Sequence, residues 1–337
     1  MIAPLSIGPV VVDPPVLLAP MAGFTNYAFR AIVRRLGGCG LPVTEMVSAR
    51  GFHEMDRRRG AVPERLWGVR DEPRPLAVQI WDNDPGVLAE IGARLAAEYR
   101  ASVIDINFGC PAADVSGKAQ CGAFLLDFPE RIGQIVARVA AACAPVPVTA
   151  KIRLGTTRDR VRAVEVAQAV EAAGGAAVAI HGRTAADQYR GAADWEQIAA
   201  VKPHLRRIPL IGNGDLRTAA EAAAAFTRYG VDGVMIGRAA LQRPWLFREV
   251  CAALRGEPIP PEPSPAEQRE LVVAHYRLLA KQLGPQGAVV QMRSAACGYV
   301  AGRPGARAFR NAVCQARSAA DLLALIEAFY VSDAPGR

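Results

Sequence analysis

Short aliphatic runs recur along the chain, each closed by glycine, proline, asparagine or a charged residue. Each is followed by a longer stretch in which apolar residues return every three or four positions. An unbroken apolar run suits a strand buried on both faces, and the 3.6-residue period suits a helix that covers it. Eight strands are read this way: VLLAP ending at Pro20, PVTEM at Met46, LAVQI at Ile80, VIDIN at Asn107, VTAKIR at Arg153, AVAIHG at Gly182, PLIGNG at Gly214 and GVMIGR at Arg238. The helices between them include PGVLAEIGARLAAEY, PERIGQIVARVAAAC, AVEVAQAVEAAG and TAAEAAAAFTRYG, the last two ending in a glycine suited to a C-cap. Strict alternation of strand and helix, eight times over, predicts an α/β fold of the (β/α)8 or TIM-barrel kind. A doubly wound sheet would carry a GxGxxG turn after its first strand, and APMAGF is not that turn.

The alternation stops at EPIPPEPSP, which cannot continue a helix. Helical periodicity resumes in AEQRELVVAHYRLLAKQLG and AADLLALIEAFYVS. The expected organisation is a barrel over residues 1–250, a proline-rich linker over 251–263 and a small helical domain over 264–330. No apolar run approaches the ~20 residues of a membrane span, and the N-terminal stretch has no basic leader, so a soluble, cytoplasmic protein is expected. The seven cysteines form no CxxC pair and no Cys/His metal spacing. Reduced thiols and no metal site follow from that pattern. The net charge of +8 admits an anionic partner. Its distribution is more specific: residues 277–317 hold Arg277, Lys281, Arg293, Arg303, Arg307, Arg310 and Arg317 without one Asp or Glu. A one-signed stretch facing a cleft would gather the phosphates of a nucleic acid.

In a (β/α)8 barrel the active site forms at the C-terminal ends of the strands. Those ends supply Met21 and Ala22, Glu45, Gln79, Asn107 with Cys110, Lys151 with Arg153, His181 with Arg183, Asn213 with Asp215, and Gly237 with Arg238. The seventh and eighth ends, GNGD and IGR, have the small residues that let backbone N–H groups approach an anion where this fold usually holds phosphate. The plainer reading is that Gly212, Gly214 and Gly237 only make tight turns. Lys151 stands in an otherwise apolar strand, where burial without a partner is costly.

LAPMAGFTNYAFR, TEMVSARG, DINFGCPA, KAQCGAFLL, KIRLG, IHGRT, GNGD and MIGRAALQRPWLF follow one another in this order. Together they resemble the tRNA-dihydrouridine synthases, in particular the bacterial B-type subgroup. The resemblance is close from Val16 to about Glu249 and looser beyond. It implies an FMN-dependent barrel that reduces the C5–C6 double bond of uridine in tRNA, with NADPH as reductant. Hydride from N5 of the reduced flavin would add at C6, and Cys110 would donate the proton to C5. Its thiol, with a reference pKa near ~8.5, is mostly protonated at neutral pH. Cys121 is expected to be packed away. Pro20, Met21 and Ala22 would line the flavin ring, Gln79 would bond its pyrimidine edge, and Lys151 would face N1 and the C2 carbonyl. His181, Asn213, Gly214, Asp215, Gly237 and Arg238 would complete the ribityl and phosphate site. Asn107, Arg153, Arg183 and Arg293 are the expected substrate contacts, and the basic tail would grip the RNA backbone of a flipped-out uridine.

Two departures from the family pattern stand out: TNYAFR where the family has T-D-x-P-F-R, and Arg293, Ser294 and Ala295 where the B-type tail has R-K-H. A monomer is expected. The competing readings are an FMN barrel reductase of a small molecule, of the dihydroorotate or enoate kind, and a non-enzymatic RNA-binding barrel.

Overall fold

The computed structural model describes residues 2–332. The chain opens with an antiparallel hairpin, β1 (Leu5–Ile7) and β2 (Val10–Val12), before the first barrel strand, β3 (Val16–Leu18). The parallel sheet continues through β4 (Leu41–Pro42), β5 (Val47–Ser48), β6 (Ala77–Trp81), β7 (Val103–Phe108) and β8 (Val148–Arg153). A small hairpin, β9 (Gly155–Thr157) with β10 (Arg160–Val161), follows β8. The sheet resumes with β11 (Ala177–His181), β12 (Leu210–Asn213) and β13 (Gly233–Ile236). Its order is β4-β3-β13-β12-β11-β8-β7-β6-β5.

The two edge segments are successive pieces of one strand, because β4 pairs with β3 while β5 pairs with β6. Val43, between them, bridges Ala77 on β6 and closes the ring. All eight expected strands are therefore present, with the second one interrupted. Pro42 has no N–H to donate, and across the gap Thr44 takes over: its N–H reaches the Ala77 carbonyl and its Oγ1 accepts from the Gln79 N–H. The break frees Glu45 to turn over the barrel mouth, where its Oε1 accepts from the Gly23 N–H at 2.6 Å.

The barrel's N-terminal end is stoppered by the opening hairpin, which the apolar pattern did not announce as strands. Leu5, Ile7 and Val12 pack against Leu17, Leu41 and Ile211 at the starts of the barrel strands. The large core lies between the strands and the outer helices α1 (Tyr27–Leu36), α2 (Ala49–Arg59), α3 (Pro85–Glu98), α4 (Pro129–Cys143), α5 (Ala163–Ala172), α6 (Trp195–Ala199), α7 (Ala219–Tyr229), α8 (Arg238–Gln242) and α9 (Leu246–Arg255).

Helix α9 continues to Arg255, so the first five residues of the expected 251–263 linker are helical and the break spans 256–264. Ser264 and Glu267 then form a capping box that starts α10 (Pro265–Tyr299). That helix is two helices in line, because Gly284 takes a left-handed φ of +72° and Pro285 follows it. With α11 (Ala306–Gln315) and α12 (Ala319–Ser332), the tail forms its own core around Tyr276, Met292, Phe309 and Phe329. It docks through α1: Ala28 belongs to the tail core, and Ile32 packs with Trp245 and Leu271 in a separate small cluster. No helix among the described residues is long and apolar enough to cross a membrane, and none of their His, Cys, Asp and Glu side chains group as metal ligands.

The base of α1 is tied to the chain entering β6 by a buried ion pair. Arg30 is fully buried, with Nε 3.0 Å from Glu72 Oε1 and Nη1 2.6 Å from the Thr25 carbonyl. Removing the carboxylate strands a buried guanidinium, a loss on the scale of ~3–5 kcal/mol. Glu72→Ala is expected to lower the denaturant midpoint by that order, whereas the double replacement Arg30→Met with Glu72→Leu recovers most of it. Equal midpoints for the two variants in urea unfolding would show that the pair, once broken, leaves no stranded charge.

Candidate active site

Four buried side chains on adjacent strands hold one another at the barrel's interior. Register places Gln79 of β6, Asp105 of β7 and Thr149 of β8 side by side. Thr149 Oγ1 donates to Asp105 Oδ1 at 2.7 Å and Gln79 Nε2 donates to Oδ2 at 2.7 Å. Asn107 Nδ2 in turn donates to Gln79 Oε1 at 2.9 Å. Asn107 Oδ1 is then left facing outward, where it accepts the backbone N–H groups of Gly109 at 3.1 Å and Cys110 at 2.9 Å. Burial pushes the Asp105 carboxyl up, opposed by its bonds to Thr149 and Gln79 and by Lys151. With both oxygens accepting, the ionised form dictates which way each amide points.

This run ends at the cysteine turn. Cys110 is half-buried, and its carbonyl accepts from the Ala123 N–H at 3.0 Å, so the 110–123 segment folds back over it. Gly122 sits there with φ +55°, and a Cβ on it would lie 2.7 Å from the Cys110 carbonyl oxygen. Cys121 is buried, donates from Sγ to the Ala119 carbonyl at 3.1 Å, and has its thiol pushed up to about 12 by burial. It is the packed thiol of the two.

Positive charge gathers on the opposite side. Lys151 Nζ reaches Asn213 Oδ1 at 3.2 Å and, among the described residues, has no ion pair with a carboxylate. Burial first, and Arg153 second, lower its pKa to about 8, against the pull of Asp105 and Cys110. Arg238 pairs with Asp215 Oδ1 at 2.9 Å and lies over the ring of Tyr189, 4.7 Å from its centroid. His181 is buried beside these cations; burial, then Lys151, Arg153, Arg183 and Arg238, push it down to about 2. It is therefore neutral. Its Nε2 lies 3.2 Å from Arg183 Nη1, which can only donate, so the ring proton sits on Nδ1.

Arg153 and Arg183, expected as substrate contacts, are buried and brace neighbouring backbone. Arg153 donates to the carbonyls of Gly109, Thr184 and Gln188 at 2.8–3.0 Å. Arg183 donates to the carbonyls of Arg190 and Gly191 and to Asp215 Oδ2 at 2.6 Å. Together they fix the loop after β11 to the cysteine turn on one side and to Asp215 on the other. Arg293 is in the tail, donating to the Ala316 carbonyl at 2.6 Å and pinning α10 to the C-terminal end of α11.

The loop they brace carries Tyr189, exposed at the barrel mouth and flanked by Arg153 and Arg238. No strand-end rule reaches it, and its only sequence signal is one aromatic residue in a polar loop. Gly214, with φ +134°, has no room for a Cβ, which would sit 2.5 Å from that of Ala193. Gly237 caps α8 and meets only ordinary contacts. A half-buried lysine with no paired carboxylate among the described residues, an arginine at the rim and a glycine corner that excludes side chains fit a bound group bringing its own negative charge, as a phosphorylated flavin does.

A model of the family described as "Dihydrouridine synthase (Dus)" matches residues 17–333. A protein of Pseudomonas aeruginosa named tRNA-dihydrouridine synthase B is 41% identical over 314 residues, covering 90% of this chain and 89% of its own. One from Mycobacterium tuberculosis named probable tRNA-dihydrouridine synthase is 39% identical over 332 residues, 96% of this chain and 84% of its own. Among solved structures, the one titled "Crystal structure of TcOYE with pHBA" superposes with a TM-score of 0.52 at 12% identity, over 83% of this chain and 97% of the other. That likeness supports the barrel fold.

The lysine's burial has a pH signature. In the folded chain Lys151 gives up its proton near pH 8, in the unfolded chain near 10.5. Between those values the unfolded state binds more protons, so the site's contribution to stability rises with pH and is least favourable below 8. The unfolding free energy of Lys151→Met relative to the parent is expected to fall steadily from pH 7.5 to 10.5. A difference independent of pH over that window would mean that Lys151 titrates as an ordinary solvated lysine.

Proposed function

Because the chain belongs to the dihydrouridine synthase family, we propose that it reduces the C5–C6 double bond of uridine in tRNA, with FMN as cofactor, NADPH as reductant and the cytoplasm as its compartment. The observation that carries the reading is the run from Asp105 through Gln79 and Asn107 to the Cys110 N–H, which fixes a half-buried thiol beside a half-buried lysine. FMN, when bound, supplies the hydride for C6 of the base.

The chain's own residues do the rest. Cys110 holds the proton that C5 requires, and a positioned acid is worth 10²–10⁴ in rate. Asn107 fixes the turn that carries the thiol, and its Nδ2, bonded to Gln79 Oε1 and 3.7 Å from Met46 Sδ, turns its second hydrogen from that weak sulfur acceptor to the base. Lys151 offers positive charge to the pyrimidine side of the flavin, and Gln79 keeps one N–H free for the same edge. Pro20, Met21 and Ala22 form the wall beside it. Asn213, Gly214, Asp215, Gly237 and Arg238 would hold the ribityl chain and phosphate, with neutral His181 beside them as a donor through Nδ1. Arg153 and Arg183 act as positioning residues for the Tyr189 loop. The cations of residues 277–317 are available to RNA phosphates.

Cys110→Ala is expected to lower dihydrouridine formation in tRNA by about 10²-fold or more while flavin content and NADPH-driven flavin reduction stay near the parent's. Cys121→Ala is expected to be nearly silent, since that thiol is committed to a backbone carbonyl. Dihydrouridine counted by mass spectrometry after single-turnover reaction separates the two. Full product from Cys110→Ala, with none from Cys121→Ala, would overturn the assignment.

A further inference from the structure

One strand-end side chain over the mouth, Glu45, has no part in the Asp105–Cys110 run or among the cations opposite. It is 6% exposed, and its Oε1 accepts from the Gly23 N–H at 2.6 Å. Arg65 approaches the same oxygen only to 3.7 Å and from an exposed side chain, so that ion pair contributes little. The stronger tie is to Gly23.

Gly23 directly follows the Pro20–Ala22 wall, in the chain between β3 and α1. Its φ is +82°, and nothing lies within 4 Å of a Cβ built on it, so glycine is needed there for its backbone conformation and not for space. A glycine in open space keeps its place through hydrogen bonds rather than packing. Met21 N–H donates to Thr25 Oγ1 at 2.9 Å, and the Met21 carbonyl accepts from the N–H groups of Phe24 and Thr25 at 3.0 Å each. The Gly23 N–H goes to Glu45, and the Gly23 carbonyl accepts from Nε2 of Gln291, on α10 of the tail. The two peptide planes that flank the Gly23 Cα are thus held from different domains, one by a barrel carboxyl and the other by a tail amide.

The wall also borders the glycine corner, since a Cβ on Gly237 would meet Met21 Sδ at 3.6 Å. A swing of either peptide at Gly23 therefore shifts Met21 and Ala22 against whatever occupies the mouth.

We propose that Glu45 and Gln291 are positioning residues for the flavin: together they fix the peptides of Gly23 and so the Pro20–Ala22 wall, and through Gln291 the seating of the tail is felt at the cofactor. The proposal rests on the flavin reading of the preceding section. It assigns opposite chemistry to the two positions, because Glu45 must accept a hydrogen bond and Gln291 must donate one.

FMN affinity of the apoprotein, titrated by flavin fluorescence well below the melting temperature, reads the wall without turnover. Glu45→Ala is expected to weaken FMN binding about tenfold and Glu45→Gln by less than about twofold, because the amide oxygen accepts the same N–H. Gln291→Ala and the isosteric Gln291→Glu are each expected to weaken it about threefold, since neither side chain can donate to the Gly23 carbonyl. Gln282→Ala removes another amide bond between tail and barrel, to the Glu64 carbonyl at 3.4 Å, and that bond does not end on the wall. It is expected to leave FMN affinity at the parent's value. A merely structural role for Glu45 and Gln291 moves the melting temperature and not the FMN constant; that result overturns the proposal while the flavin reading stands. Equal losses from Glu45→Gln and Glu45→Ala, or from Gln282→Ala and Gln291→Ala, also overturn it, the first because charge and not hydrogen bonding then matters, the second because any loosening of the tail then suffices. A parent apoprotein that takes up no FMN removes both readings together.

Discussion

While ionised, Asp105 can only accept hydrogen bonds, and that one-way demand propagates through two amides to the loop above it. Gln79 must turn its NH2 toward the carboxylate, so its oxygen faces Asn107; Asn107 must then turn its oxygen outward, toward the N–H groups of Gly109 and Cys110. A neutral amide at position 105 would leave both flips open and the turn without a fixed partner. The cost of burying that charge is offset by three groups already in the barrel: Thr149, Gln79 and, through space, Lys151. The strand-end turn is thus set from below by the barrel interior, and the Ala123 N–H holds the Cys110 carbonyl from the loop side.

The opposite half of the mouth obeys a different electrostatic logic. Lys151, Arg153, Arg183 and Arg238 gather there, and His181 is kept neutral first by its burial and then by these cations. Two of the arginines are committed to backbone carbonyls, so their role is to stiffen the Tyr189 loop while adding to the local potential. A mouth with this imbalance of charge attracts an anion and repels a cation.

Much of this was legible in the chain because parallel barrel strands are apolar throughout and end in conspicuous polar residues. VIDIN and VTAKIR have no other plausible use, and they gave Asp105, Asn107 and Lys151 their places. The opening hairpin was hidden, since its few apolar residues sit among glycine and prolines and look like a loop. The second half of α10 was hidden too, being rich in alanine and glycine with no clear apolar stripe. Strand-end position says that Arg153 and Arg183 stand at the mouth but not where a long side chain goes. Which carbonyls of the 184–191 loop lie within reach depends on a loop path that no local pattern encodes, and the same holds for Tyr189.

The docking of the tail on α1 has a bearing on how this enzyme could be re-engineered. Ala28 belongs to the tail's core, Phe29 lies against His275, and Ile32 shares a cluster with Leu271, yet α1 is the helix that immediately follows the Pro20–Ala22 wall. The proline-rich break at 256–264 is a boundary in sequence but not in packing. A chimera cut there would inherit a foreign α1 surface and lose registry between tail and mouth. The packing unit is the tail together with α1, two segments far apart in the chain that must be exchanged as one.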